Sequence, residues 1–530
     1  MKRAPHTRSK ACTLLLAGGI AAALLSGCKV GPNYKRPAAI LAPTNSYKEA
    51  PPASFTEGWA TAAPADAELK GDWWTLFNDN VLNSLEPQVD TANQTLKAAE
   101  ANFRAAREQI GVARSFEAPT IGTAPLFGAT RSSANQPYFN PANANNGEGN
   151  FQLPIDLNYE IDMWGRIRRG VTEARNYAQA ANADLENARL SLHAELALDY
   201  FRLRSDDAQE KLFDNTILAY EQALNLTQIR FEGGVAPQSD VTQAQTQLEQ
   251  ARVQRSDIEA DRAAMEHAIA VLTGKPPSEL TIAPVSVSTA PPMRAPNMAN
   301  TETAAPDASN DANLVTAAPI ALDSLSPSLP AIPGVLPATL LQRRPDIASA
   351  ERRAAAANEA IGIAQAAYYP TFSISAAGGF LGTSLVNWFT WPSRFFAVGP
   401  AVSETIFDAG RRRASKAISV ADYDLAVAQY RQTALTAFQQ VEDNLAALRV
   451  LEREAQEQHA ATAAAEHSLQ LFNDRYEGGV DTYLQVITWQ TAALNNERND
   501  ILIQQRRLQA SVLLIKALGG GWNASSIPHL

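Results

Sequence analysis

Among the 530 residues the cysteines and histidines, the side chains most suited to covalent or acid–base chemistry near neutral pH, are few and stand far apart. Only two cysteines and six histidines are present. No phosphate-cradling glycine loop, no G-x-S-x-G elbow and no H-E-x-x-H zinc helix can be found. Bundle di-metal sites need Glu-x-x-His on facing helices, and none occurs. His193, His267, His459 and His467 are scattered through helical stretches and read as surface residues. One thiol does stand in a chemical context. Leu25-Ser26-Gly27-Cys28 has the pattern of a bacterial lipobox, in which small residues admit the peptidase and the cysteine sulfur receives diacylglycerol. Lys2, Arg3, Arg8 and Lys10 precede the apolar stretch from Ala11 to Leu25, the charged and apolar regions of a secretory signal. Residues 1–27 are therefore expected to be removed, leaving Cys28 as the first residue and lipid attachment site. Cys12 goes with the signal, so no intrachain disulfide is possible. Lys29 in place of Asp after the cysteine favours the outer membrane over inner-membrane retention.

Composition narrows the class. The net charge of −10, which becomes −14 once the four basic residues of the signal are gone, argues against nucleic acid as a partner, because phosphate binding needs clustered Lys and Arg. Beyond the signal there is no apolar run of about 18 residues, so no conventional transmembrane helix is expected in the mature chain, whereas a β-barrel stays open.

The elements that position these residues occur twice. Arg230-Phe231-Glu232-Gly233-Gly234-Val235 returns 245 places later as Arg475-Tyr476-Glu477-Gly478-Gly479-Val480. Gly165-Arg166 and Gly410-Arg411 keep the same spacing. Ile110-Gly111 and Ile361-Gly362, with Pro119-Thr120 and Pro370-Thr371, lie 251 apart, so a loop between the anchors absorbs six residues. Each copy reads as a helix, two short strands and a pair of very long helices. Ala178, Ala181, Leu185, Ala188, Leu192, Leu196, Tyr200 and Leu203 form one apolar stripe; Tyr423, Val427, Tyr430, Ala434, Ala437, Val441, Leu445 and Leu448 form its counterpart. A helix from about 170 to 230 would be roughly 90 Å long, too long for a globular core, and its alanines favour close side-by-side packing.

Between helices the period falls to two. Phe151, Leu153, Ile155, Leu157, Tyr159, Ile161 and Met163 alternate with largely polar residues, and Phe396, Val398, Val402 and Ile406 occupy the corresponding face in copy two. Partners are expected at about 120–130 and 371–381. Four strands of about ten residues can each cross a bilayer at a tilt. They cannot close a barrel alone, since about eight is the smallest number, and open edges in lipid are forbidden. A membrane reading therefore requires several chains. Pro154 and Pro400 interrupt donor positions, and Trp388, Phe389, Trp391, Phe395 and Phe396 cluster where an interfacial girdle or outer loop would lie.

The segments Cys28-Lys29-Val30-Gly31-Pro32-Asn33-Tyr34, Trp73-Trp74-Thr75-Leu76-Phe77, Leu341-Gln342-Arg343-Arg344-Pro345-Asp346-Ile347, the two Gly-Gly-Val tips and Lys516-Ala517-Leu518-Gly519-Gly520-Gly521-Trp522 together resemble the TolC-like outer-membrane efflux factors. The likeness is to their lipoprotein branch (OprM-like, NodT family), which works with RND pumps. The resemblance implies an α+β membrane protein, internally duplicated. Each chain would give four strands to a trimeric 12-stranded outer-membrane β-barrel continued by a long periplasmic α-helical barrel. It implies lipid anchoring at Cys28 in the cell outer membrane, no cofactor and no enzymatic activity. The implied function is passive export of drugs or other small molecules by a homotrimer, with a periplasmic adaptor (membrane fusion) protein and an inner-membrane RND pump as partners. It also places adaptor contact at Arg230, Gly233, Gly234, Val235, Arg475, Gly478, Gly479 and Val480. Where relatives carry an Asp and Arg of the closing ring this chain has Thr488 and Thr491, so the periplasmic gate is expected to rest on Leu484 and Asp481 more than on ion pairs. Arg343-Arg344-Pro345-Asp346 reads more simply as a helix start.

The expected organisation is a signal peptide over 1–27, a first repeat over 28–283, a Pro/Ala-rich linker over 284–333, a second repeat over 334–522 and a tail over 523–530. Two alternatives share parts of this pattern. A duct for type I protein secretion would differ in cargo and inner-membrane partner, and a lipid-anchored helical scaffold would lack the pore.

Overall fold

The structure, a computed structural model, describes residues 29–38, 48–49, 72–131, 133, 135, 147–284, 343–522, 527, 528 and 530. The signal, Cys28 and all of the linker but its first residue lie outside them.

The chain order repeats one unit. The first copy opens with a 3-10 turn at Trp73–Phe77 and a short helix, α1, at Asn80–Ala92, capped by the Asp79 carboxylate, which accepts from the Val81 and Leu82 amides. Helix α2 (Gln94–Ser115) leads into β1 (Thr120–Gly122), β2 (Leu126–Thr130) and β3 (Glu148–Ile161). Helices α3 (Arg166–Glu232) and α4 (Gln238–Leu272) then form the first hairpin. The second copy has α5 (Pro345–Ala366), β4 (Thr371–Gly382), β5 (Arg394–Ser403), α6 (Arg411–Glu477) and α7 (Tyr483–Ala517). Both long helices have 67 residues and both partners 35. At 1.5 Å per residue the long ones measure about 100 Å.

The strands form one antiparallel sheet in the order β1/β2, β3, β4, β5. β1 and β2 are two pieces of a single column against β3, so the described residues form four columns, as the alternation predicts. The break has a local cause. β1 pairs with residues up to Asp156 and β2 with residues from Gln152, leaving Pro154 opposite the gap; Pro154 has no amide hydrogen to offer a ladder there, and the Thr123 hydroxyl donates to its carbonyl instead, at 2.6 Å. Pro400 lies on the outer column, β5, opposite Ile374. β5 ends at Ser403, so Ile406, expected on its face, falls in the connection to α6 and is exposed.

Register decides the faces. Leu153 pairs with Phe380, Leu157 with Ala376 and Ile161 with Phe372, and these continue onto Arg394, Val398 and Val402. Ile121, Phe127, Ile155, Phe396, Val398 and Val402 make this face broadly apolar and exposed. Gln152, Asp156, Asn158 and Glu160 share the other face with Ser373 and Ser375. The aromatic cluster sits at one end: Trp388 packs edge-on to Phe127 at 5.3 Å and against Phe389 at 4.4 Å, while Arg394 stacks over Trp391.

The helices form a wall below the sheet. α3 lies between α2 and α5 and packs on α4 and α7, whereas α6 packs on α5 and on its partner α7 and has no described helix on its other side. Its first turns therefore leave Ile418 and Leu425 exposed, and among the described residues the wall, like the sheet, has two open edges. The core lies at the level of the 3-10 turn, where Trp73, Phe77, Leu196, Tyr200, Phe201, Tyr430, Val441 and Leu514 are buried together. Among the described residues, no helix is long and apolar enough to cross a membrane.

Candidate functional site: the paired hairpin tips

Both tips are built by the same termination of a long helix. In the first, the Val235 amide donates to the Arg230 carbonyl at 2.8 Å and the Gly234 amide to Phe231 at 2.9 Å. In the second, Val480 donates to Arg475 at 2.9 Å and Gly479 to Tyr476 at 3.0 Å. These paired bonds are a Schellman closure, which needs one residue with positive φ. That residue is the second glycine of each pair, with φ of +72° at Gly234 and +73° at Gly479. Gly233 and Gly478 have ordinary backbone angles, so the turn demands one glycine, not two.

The two tips lie against each other. Arg230 donates to the carbonyls of Tyr476 (3.1 Å) and Glu477 (3.2 Å), and its guanidinium lies over the Tyr476 ring at 4.3 Å. A cation is favourable there because the last carbonyls of α6 carry the negative end of its dipole. Tyr476 and Tyr483, rings 5.3 Å apart, are buried with Val486, Ala223 and Ala244. Burial, with Tyr476 and Tyr220 nearby, pushes the Tyr483 hydroxyl well above its usual range. Arg475 stays within its own tip, ion-paired to Asp481.

The expected contact residues thus gather at one end of the molecule. Val235 and Val480 are exposed. Leu484, Thr488 and Thr491 follow a helical spacing and are exposed on α7, and Asp481 lies in the turn just before it. Leu484 is 55% exposed, and the Thr488 hydroxyl is spent on the Leu484 carbonyl at 2.9 Å. Asp481 differs from expectation, since its carboxylate already belongs to an ion pair. The buried tyrosines and the reach of Arg230 were not anticipated; the sequence signals were Tyr476 standing where the first copy has Phe231 and Asp481 standing where it has Ala236.

Two other readings change. His193 is buried, not on the surface: its ring stacks on Trp74 at 4.6 Å, Nδ1 lies 2.7 Å from the Glu86 carboxylate and Nε2 3.3 Å from Asp90. Arg343-Arg344-Pro345-Asp346 does start a helix, with Pro345 in its first turn. Arg344 also bonds Asp346, Gln440 of α6 (2.8 Å) and the Ala517 carbonyl ending α7 (3.1 Å), fastening three helices.

A strand sheet with one apolar face, standing on a wall of helices about 100 Å long whose hairpins end in paired tips, defines the TolC-like class of outer-membrane channels. The chain belongs to the outer membrane efflux protein family, whose model matches residues 87–275 and 336–520. It is 31% identical over 506 residues to a toluene efflux pump outer membrane protein of Pseudomonas putida, TtgF, covering 95% of this chain and 96% of that protein. It is 31% identical over 515 residues to the antibiotic efflux pump outer membrane protein ArpC of Pseudomonas putida, covering 96% of each. The solved outer-membrane channel OprN superposes with a TM-score of 0.73 at 26% identity, over 93% of this chain and all of that one.

Proposed function

We propose that this chain is the exit duct of a tripartite RND-type efflux system, passing small molecules from periplasm to exterior by conduction, without catalysis. The observation that carries the reading is the pair of open edges. β1/β2 and β5 end the sheet, and α2 and α6 end the wall, on the same two sides. A sheet with an apolar outer face cannot leave such edges in lipid. Head-to-tail pairing of β5 with β1/β2 of the next copy removes them, and three copies supply twelve strands around a polar lumen. The long helices, about 100 Å each, then become a second, hollow barrel reaching across the periplasm.

On this reading Cys28 carries the lipid anchor, Val235 and Val480 with the glycines and arginines beside them meet a periplasmic adaptor, and Asp481, Leu484, Thr488 and Thr491 face the closing pore. The relatives named for toluene and antibiotics fit small-molecule cargo without choosing among cargoes. The test is in-cell crosslinking from positions 235 and 480. Recovery of an adaptor together with an inner-membrane pump supports the assignment, and a trimer that captures no adaptor contradicts it.

A further inference from the structure

The segment after the acceptor cysteine is part of the fold. The Val30 amide donates to the Trp164 carbonyl at 3.1 Å, and Lys29 lies against Gly165, where a Cβ would come within 3.2 Å of the Lys29 Cα. Gly165 is the left-handed residue between the end of β3 and the start of α3. Arg169, one turn into α3 and fully buried, donates from Nε to the Val30 carbonyl at 2.6 Å and from Nη2 to the Pro32 carbonyl at 3.2 Å. Its Nη1 meets the Glu359 carboxylate of α5 at 2.7 Å, and Lys29 reaches the same oxygen at 3.2 Å. Asn358 donates to the Pro32 carbonyl as well. Farther along, the Tyr34 hydroxyl donates to Glu351 at 2.6 Å, and the Lys48 and Glu49 amides both donate to the Glu442 carboxylate of α6.

Close approach is built into both sides of the seat. Gly31 has φ of +106° and faces Gly362, where an added Cβ would lie 2.6 Å from the Gly362 Cα; a Cβ on Gly362 would strike the Arg169 guanidinium. Buried charge costs free energy unless paired and hydrogen-bonded. Arg169 meets that condition only with two carbonyls of the N-terminal segment and one carboxylate of the second repeat. Its counterpart 245 places on is Ala414, so the device belongs to one copy, the one beside the N-terminal segment.

We propose that Arg169 is the positioning residue of an anchor seat: with Glu359 it holds Lys29–Pro32 at the foot of β3 and so sets the level of the wall at which an acyl chain on the preceding cysteine enters the leaflet. The proposal rests on Cys28 being the acylated residue. The seat is a property of the folded wall, and holds the segment whether or not the lipid is present.

Hydrogen exchange on the full chain in detergent, followed by mass spectrometry, tests it. The peptide covering residues 29–37 is expected to be equally protected in the wild type and in a Cys28→Ser chain exported behind an ordinary cleavable signal. In Arg169→Met its exchange should rise at least tenfold, with peptides of α4 unchanged. If Arg169→Met does not accumulate because Glu359 is left unpaired, Arg169→Met/Glu359→Met removes both charges and should show the same release. Unchanged protection in the Arg169 variants, or loss of protection in Cys28→Ser alone, overturns the seat. The mass of the N-terminal peptide reads the lipid independently: a protected but unacylated wild-type segment overturns the lipid reading and supports the seat.

Discussion

The two hairpin tips have the same closure and the same 245-residue spacing, yet their arginines do opposite things. Arg230 crosses to the neighbouring tip, while Arg475 turns back to its own. One position explains the difference: Asp481 offers Arg475 a local carboxylate, and its counterpart, Ala236, offers Arg230 nothing. A guanidinium without a local acid takes the next acceptors within reach, the exposed carbonyls at the end of α6. The repeat supplies two like ends, and the residue at one position makes one of them a clasp on the other.

The sharpest way to break this contrast is to give Arg230 its missing acid. Ala236→Asp should draw Arg230 home and release the tips, and Arg230→Ala should do the same by deletion. Two part-exposed hydrogen bonds from a charged donor and a ring contact contribute about 1–2 kcal/mol, so open-channel probability in planar bilayers should rise roughly five- to thirty-fold. Arg475→Ala, which removes only an exposed local pair, should leave conductance near the wild-type level. Equal effects of the two arginine deletions would remove the asymmetry.

A second asymmetry lies at the level of the core. His193 and its partner Glu86 are buried in the first copy, while the residue 245 places on from His193 is Phe438. Burial raises Glu86 to about 7 against the pull of His193. Burial works to lower His193, and Glu86 and Asp90 outweigh it, holding the imidazole above its usual value. Both folded-state values are raised, so both groups stabilise the fold most at mildly acid pH. That stability is lost as pH rises, through the interval from the ordinary carboxylate value up to about 7 for Glu86 and above the ordinary imidazole value for His193. The melting temperature of the helical signal should therefore drop as pH rises from about 4.5 to about 7. Glu86→Met/His193→Phe, which brings the second repeat's Phe438 to the histidine position, should flatten that decline. Asp199 and Asp206, raised by burial to about 6, should keep the remainder. A double variant as steep as the wild type would show that the pair does not titrate with folding.

What could be read in advance follows from which interactions are periodic. Helices, strands and their faces come from repeating apolar positions, so α3 and α6, the four columns and the register-defined lipid face were legible, and the helix bounds keep the same offsets as the anchors. The break between β1 and β2 was signalled by Pro154, though not its repair by Thr123. Side-chain partnerships between distant segments have no period. Arg169 with Val30 and Pro32, His193 with Glu86, and Arg230 with the end of α6 join residues more than 100 places apart once the wall is assembled. A histidine every few turns looks the same whether it faces water or Trp74. Aligning the two copies position by position would have flagged His193 against Phe438 and Ala236 against Asp481.

Smaller effects separate the closure from what it carries. Gly234→Ala and Gly479→Ala place a Cβ at positive φ and should each cost about 1 kcal/mol, whereas Gly233→Ala meets only ordinary contacts and should be close to neutral in melting temperature. Gly478→Ala is tighter, with the Asp474 carbonyl 3.3 Å from the added Cβ, and should fall between them. If all four behaved alike, the Schellman geometry would not be what ends these helices. The pore reading of α7 rests on a different property of the same tip. Leu484 is exposed in the single chain, and its counterpart in the first copy is Ser239, so only the second tip carries a large apolar side chain there. If three such leucines meet at the axis, Leu484→Ala should widen the constriction and raise single-channel conductance without changing thermal stability, because the side chain is not packed in the chain's own core. Ser239→Ala should do neither. Unchanged conductance in Leu484→Ala would place the narrowest ring elsewhere, and the Asp481–Arg475 pair, one turn nearer the periplasmic end, would be the next place to look.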